Sequence, residues 1–169
     1  DVDPSLYGCE KHPTTYSNIQ RDLEEKAIFE KVKPHQLCLG ICRGSQFLCV
    51  MNGGLLIQNV GKHAGFGTHQ IINKRDDMER YDITSTHHQM QYPFNLKYGE
   101  DYTTLYYASR RSPYYEGDKV DYPPHEPEIV LYHKKGMPKC LAIQGHPEMM
   151  RAEAPVIKML NNLINTYVK

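Results

Sequence analysis

Apolar residues recur at three- and four-residue steps from position 19: Ile19, Leu23 and Ala27, with Ile28 and Val32, predict an amphipathic helix that Pro34 ends. Ser17-Asn18-Ile19-Gln20 reads as the capping box that opens it. Leu37 to Ile41 is an apolar run of strand length, and Ser45 to Met51 reads as the start of a buried helix closed by Asn52-Gly53-Gly54. Leu55-Leu56-Ile57 forms another short buried segment. Residues 61–70 read as a Gly- and His-rich loop, 76–80 as a charged loop, and Ile83 to Gln89 as a polar stretch without helical period. Strand patterns return at Thr103–Ala108, Glu128–His133 and Cys140–Gln144. Val156, Met159, Leu160, Leu163, Ile164 and Tyr167 then mark one face of a closing helix. Helices interleaved with strands in this order predict one α/β domain over residues 1–169, with helices on both faces of a sheet.

Two stretches depart from this alternation. Residues 1–16 are turn-rich, punctuated by Asp3-Pro4, Tyr7-Gly8 and His12-Pro13. The segment 92–132 holds most of the tyrosines, and within it residues 110–127 are rich in Pro, Tyr and charge without any period. That insertion reads either as a surface loop whose tyrosines cover the sheet edge, or as a lid or docking surface, since Tyr and Arg are enriched at interfaces.

Charge and composition narrow the function classes. The 169 residues carry 20 basic and 20 acidic side chains, so no electrostatic footprint points to nucleic acid or an anionic membrane. No apolar run approaches the roughly 18 residues of a membrane span. Five cysteines, an odd number without a Cys-x-x-Cys pair, point to reduced, cytoplasmic usage rather than a disulfide framework.

The candidate chemistry starts at Gly40-x-Cys42-x-Gly44, between the predicted strand and the buried helix. This spacing matches a nucleophile elbow with Cys in place of Ser. A sharp strand-to-helix turn holds its central residue in a strained conformation, and flanking glycines let the backbone approach closely. At a helix N-terminus, free N–H groups would favour the Cys42 thiolate, and the Arg43 N–H would face a developing oxyanion. On the pentapeptide alone, a nucleophile and a buried core thiol both remain open. A base is available: His146 follows the strand ending at Gln144, and Glu148 would orient its imidazole. Residues just past strand C-termini line the crevice of an α/β sheet, so the two segments can converge. The plainer reading makes His146-Pro147 a turn only. His63, His69, His87 and His88 invite a metal, but ligand-spaced cysteines and a helical His-x-x-x-His are both missing from the sequence, so the expectation is no metal and no cofactor.

Taken together, Gly40–Gln46, Gly53–Gln58, Thr84–Gln89 and Ala142–Glu148 resemble class I glutamine amidotransferase-like hydrolases in content and order. The branch resembled most is the gamma-glutamyl-gamma-aminobutyrate hydrolase (peptidase C26) group, which Asp1–Gly8, His12-Pro13 and Arg21-Asp22 also resemble. The resemblance implies a flavodoxin-like, mostly parallel α/β sheet and a Cys42–His146–Glu148 triad. The implied reaction is thiolate attack on a gamma-glutamyl amide, amine release, and hydrolysis of a gamma-glutamyl thioester. Gln46 would contact the glutamyl group, and His87 would lie near the substrate's amino acid end.

Two departures from the family pattern carry expectations. Gly145 replaces a usual Trp before the catalytic His and would open space beside His146. Asp1 aligns after the family's first strands, so the sheet is expected to have an unpaired interior edge and the oxyanion hole to lack its second donor. Three functions are carried forward: a cofactor-independent gamma-glutamyl amide hydrolase, a glutaminase subunit supplying ammonia to a synthetase partner, and a non-catalytic binding protein on the same fold.

Overall fold

The computed structural model describes residues 1–65 and 67–168; Phe66, within the expected 61–70 loop, and Lys169 lie outside the described residues. Among the described residues, six strands form the main sheet: β1 (Leu37–Ile41), β4 (Gly67–Asn73), β5 (Arg80–Ser85), β7 (Tyr102–Ala108), β9 (Pro127–Tyr132) and β10 (Lys139–Ile143). Their order is β1-β10-β9-β7-β4-β5. Two small antiparallel pairs sit beside it, β2 (Leu55–Ile57) with β6 (Met90–Tyr92), and β3 (Asn59–Val60) with β8 (Tyr115–Glu116). The helices are α1 (Ile19–Phe29), α2 (Arg43–Met51) and α3 (Pro155–Tyr167).

The α/β class and the placement of helices on both faces follow from the period of two in the central strands. Val130, Tyr132, Cys140 and Ala142 face α2, where they pack with Phe47, Leu48 and Val50. The alternate residues Ile129, Leu141 and Ile143 face α3, packing with Val156, Met159 and Leu160. Strands β9 and β10 are therefore apolar on both sides, as a sheet covered on both faces requires. Strand direction differs from the mostly parallel expectation: β1–β10 is parallel, whereas the other four pairings of this sheet are antiparallel. The links explain it. Only a few residues join β4 to β5 and β9 to β10, enough for a hairpin and too few for a crossover.

Several boundaries move. Asn18 rather than Ser17 caps α1, accepting the Arg21 N–H at 3.2 Å, while Ser17 Oγ donates to Asp3. The helix ends at Phe29, before Pro34, and turns Ile19, Leu23 and Ile28 outward while burying Asp22. Tertiary pairing of Asp22 overrides the amphipathic pattern here. β4 begins inside the expected Gly/His-rich loop, and β5 occupies the first part of the polar stretch at 83–89. The 110–127 insertion lies against β3 through β8 and against residues 9 and 10, where Cys9 Sγ and the Glu10 N–H bond Asp118. β1 has β10 as its single sheet partner among the described residues, so its other edge is open and Leu39 is 49% exposed. No helix among the described residues is long and apolar enough to cross a membrane.

Candidate active site

Because β1 and β10 are parallel and in register, Ile41 beside Ile143, their C-terminal ends leave the sheet together. The Cys42 N–H continues the ladder to the Ile143 carbonyl at 2.8 Å. The chain then turns sharply: Cys42 has φ 50° and ψ −111°, a conformation that L-residues rarely adopt. The two flanking glycines serve different purposes. A Cβ on Gly40 would meet the Gly44 carbonyl oxygen at 2.5 Å and the Leu48 side chain at 2.7 Å, so only glycine fits. A Cβ on Gly44 would meet nothing within 4 Å among the described residues.

The neighbouring strand leads into His146, the expected base. His146 Nδ1 lies 2.6 Å from Glu148 Oε1, which fixes Nδ1 as the protonated nitrogen and leaves Nε2 as the acceptor. The His146 N–H donates to the Thr84 carbonyl at 2.8 Å, so the sheet curls until the end of β5 stands over the end of β10. This curl reverses the expectation of open space beside Gly145. A Cβ there would lie 2.8 Å from the Ile83 side chain and from the Thr84 oxygen, so β5 fills the position.

Electrostatics at Cys42 also differ from expectation. Burial pushes its thiol above the ordinary value; the Arg43 N–H acts in the opposite sense, and the Glu148 carboxylate adds to the rise. Desolvation outweighs the Arg43 N–H, so the resting group is a thiol. Arg43 has a second attachment, since its guanidinium pairs with buried Asp22 and, at 2.7 Å, with Glu25 Oε2, locking α1 to the elbow. Burial would raise the Glu25 carboxyl, but the hydrogen bonds from Arg43 and Arg21 hold it below its usual range.

Gln46 and His87 are brought together on one backbone group. Gln46 Nε2 and His87 Nδ1 each donate to the Gln89 carbonyl at 2.8 Å, and both side chains are buried. They tie α2 to the connection after β5 rather than facing open space. Cavities flank the elbow and the His146 turn. One of ≈400 Å³ runs along the open edge of β1, lined by Leu39, Gly40, Arg43 and Phe47. Another of ≈500 Å³ is lined by Thr84, Met149, Met150 and Arg151.

Two groups escape the sequence reading. Gln58 is fully buried: its Oε1 accepts the His12 N–H at 2.9 Å and its Nε2 donates to the Glu10 carbonyl at 2.8 Å, fastening the N-terminal turns. Glu126 and Glu128 are also fully buried, among His63, His69 and His87. A signal for Glu128 exists, because an acid opens the otherwise apolar run Ile129–Tyr132, and such an acid must find partners.

The family described as Peptidase C26 matches residues 1–99, which contain Cys42 but not His146 or Glu148. Protein NtpR of Enterococcus hirae is 33% identical over 110 residues, covering 53% of this chain and 46% of that protein. A Lactococcus lactis subsp. cremoris protein, provisionally named a glutamine amidotransferase-like YvdE homolog, is 34% identical over 109 residues, covering 53% of this chain and 58% of that one. This chain thus spans about half the length of these curated relatives. Among solved structures, a Thermoplasma acidophilum protein provisionally designated as a GMP synthase subunit superposes with a TM-score of 0.56 at 15% identity, over 89% of this chain and 63% of that one. That likeness concerns the fold. With more than half of its residues matched by the family and the elbow inside the matched part, the chain belongs to the Peptidase C26 family of class I glutamine amidotransferase-like proteins.

Proposed function

We propose that this protein is a cysteine-nucleophile hydrolase of gamma-glutamyl amide bonds. The observation that carries the reading is the strained Cys42 at the end of β1, beside a parallel β10 that ends in the His146–Glu148 pair. In this reading His146 Nε2 takes the Cys42 proton, and the sulfur attacks the amide carbon. The oxyanion forms beside the Arg43 N–H. His146 returns the proton to the departing amine as the C–N bond breaks, leaving a gamma-glutamyl thioester. Water, deprotonated by His146, then releases glutamate and the free thiol. Glu148 keeps Nδ1 protonated and stabilises the imidazolium in both steps. Each step moves protons and acyl groups only, so the reading calls for no cofactor or metal in the chemistry.

Release of amine or ammonia from glutamine and a panel of gamma-glutamyl amines, by the native protein and its Cys42→Ala variant, tests the proposal. Turnover that disappears with Cys42 supports it; turnover that persists in Cys42→Ala overturns it. A second reading, a glutaminase subunit serving a synthetase, draws on the exposed apolar residues Ile28 and Leu39 beside the β1 groove. It gains ground if glutamine alone is cleaved and a synthetase raises the rate.

A further inference from the structure

His63, His87 and Glu128 are far apart in sequence and converge from three places: the turn after β3, the connection after β5, and β9. One ligand atom from each lies within 4.8 Å of the others, and all three residues are buried. What distinguishes the cluster is its shortage of donors. His87 Nδ1 is 2.8 Å from the Gln89 carbonyl, which can only accept, so the proton sits on Nδ1 and Nε2 presents a lone pair. That Nε2 has no hydrogen-bond partner among the described residues. His63 Nε2 is 3.0 Å from Glu126 Oε2, which places the proton there by the same reasoning and leaves Nδ1 as an acceptor. The Ser85 hydroxyl, 3.4 Å from that Nδ1, gives its hydrogen to the His63 carbonyl at 3.1 Å. Both oxygens of Glu128 are likewise without a hydrogen bond among the described residues. His69 Nε2 lies 2.8 Å from Glu128 Oε1, an ion pair when His69 is protonated though without hydrogen-bond geometry, and it leaves the His63 and His87 lone pairs unanswered.

Acceptors that face one another in a closed space are unfavourable unless a positive charge lies between them. We propose that His63, His87 and Glu128 form a binding site for a divalent transition-metal ion of the zinc type, with a fourth position open to His69 or water. Two imidazoles and one carboxylate are a donor set suited to zinc, iron or manganese. Each imidazole already has the outer partner that metal-bound histidines use, Glu126 for His63 and the Gln89 carbonyl for His87. Zinc ligands in a tetrahedron stand about 3.3 Å apart, so closing the site requires inward shifts of about 1 Å. A cavity of ≈220 Å³ reaches His63 and His69 and offers an entry path. The ion would pin the turn after β3 and the His87 connection onto β9. It takes no part in the proposed hydrolysis.

The test is a titration of the chelator-treated native protein with Co²⁺ and then Zn²⁺, read by visible absorption and by the thermal midpoint. One equivalent of Co²⁺ should give tetrahedral absorption and raise the midpoint, and Zn²⁺ should displace it. His87→Gln and Glu128→Gln should each weaken binding at least 100-fold, whereas His35→Gln, at an exposed turn, should bind as the native protein does. No binding by the folded native protein overturns the proposal, as does binding that survives in folded His87→Gln and Glu128→Gln. Should those variants fail to fold, anomalous diffraction from native crystals grown with Zn²⁺ decides: an ion between His63, His87 and Glu128 supports the site, and an ion elsewhere refutes it.

Discussion

Replacing Arg43 with Met tests how the elbow is anchored. The Met side chain keeps the apolar stem that rests near the Phe47 ring and removes the guanidinium alone. Two carboxylates lose a partner, with unequal consequences; Glu25 keeps Arg21 at 2.7 Å. Glu25 is 30% exposed and can turn to water, so its share is below about 1 kcal/mol. Asp22 is fully buried, and after the change it retains the Asp3 N–H at 2.7 Å on Oδ2 while Oδ1 loses its donor. Removing one partner of a buried ion pair costs about 3–5 kcal/mol. The remaining Asp3 bond favours the lower end, so the expected loss is about 3 kcal/mol. For a chain of this size that lowers the melting temperature by roughly 6–12 °C. Urea unfolding gives the free energy, and an Asp22→Asn cycle isolates the pair, where coupling of about 2 kcal/mol is expected. A loss below about 1 kcal/mol with no coupling would refute the claim that this pair secures the Cys42 turn.

Other expectations concern the site itself. Because burial holds the Cys42 thiol above its ordinary range, its alkylation without substrate should accelerate steadily from pH 7 past pH 9, followed by mass spectrometry of the labelled peptide; a plateau below pH 7 would mean a resting thiolate. Glu148→Gln should keep the fold, since Glu148 is half exposed, yet lower kcat by about 10²–10⁴-fold and alter the pH profile; an unchanged profile would assign the orienting role elsewhere. The elbow glycines should respond asymmetrically in denaturant unfolding. Gly40→Ala should cost about 3 kcal/mol because it strikes backbone, and Gly44→Ala should be neutral or stabilising by up to about 1 kcal/mol. Equal losses at both would contradict the geometry.

What was legible in the chain beforehand is what neighbouring residues decide among themselves. The apolar run ahead of Gly40-x-Cys42-x-Gly44 specified a strand, and the residues after it a buried helix. The apolar runs that became β9 and β10, and the i, i+3, i+4 face of α3, placed those elements to within a residue or two. The His146–Glu148 pairing was also readable, because two residues apart in one turn they meet whatever the rest of the fold does. Where the reading stopped, the deciding partner was distant. α1 looked amphipathic toward Ile19 and Leu23, but Asp22 and Arg43, 21 residues apart, chose the buried face. Gly145 looked like vacated space until the curl of the sheet laid β5 across it. Gln46 and His87 looked like separate contacts until both reached the Gln89 carbonyl. Local pattern alone therefore determined where the elbow, the His146–Glu148 turn and the helices lie along the chain, since backbone sterics and helical or strand periodicity act over a few residues. Strand direction, the burial of the Cys42 thiol and the gathering of His63, His87 and Glu128 were decided only by tertiary structure, because burial and convergence depend on which strands lie side by side.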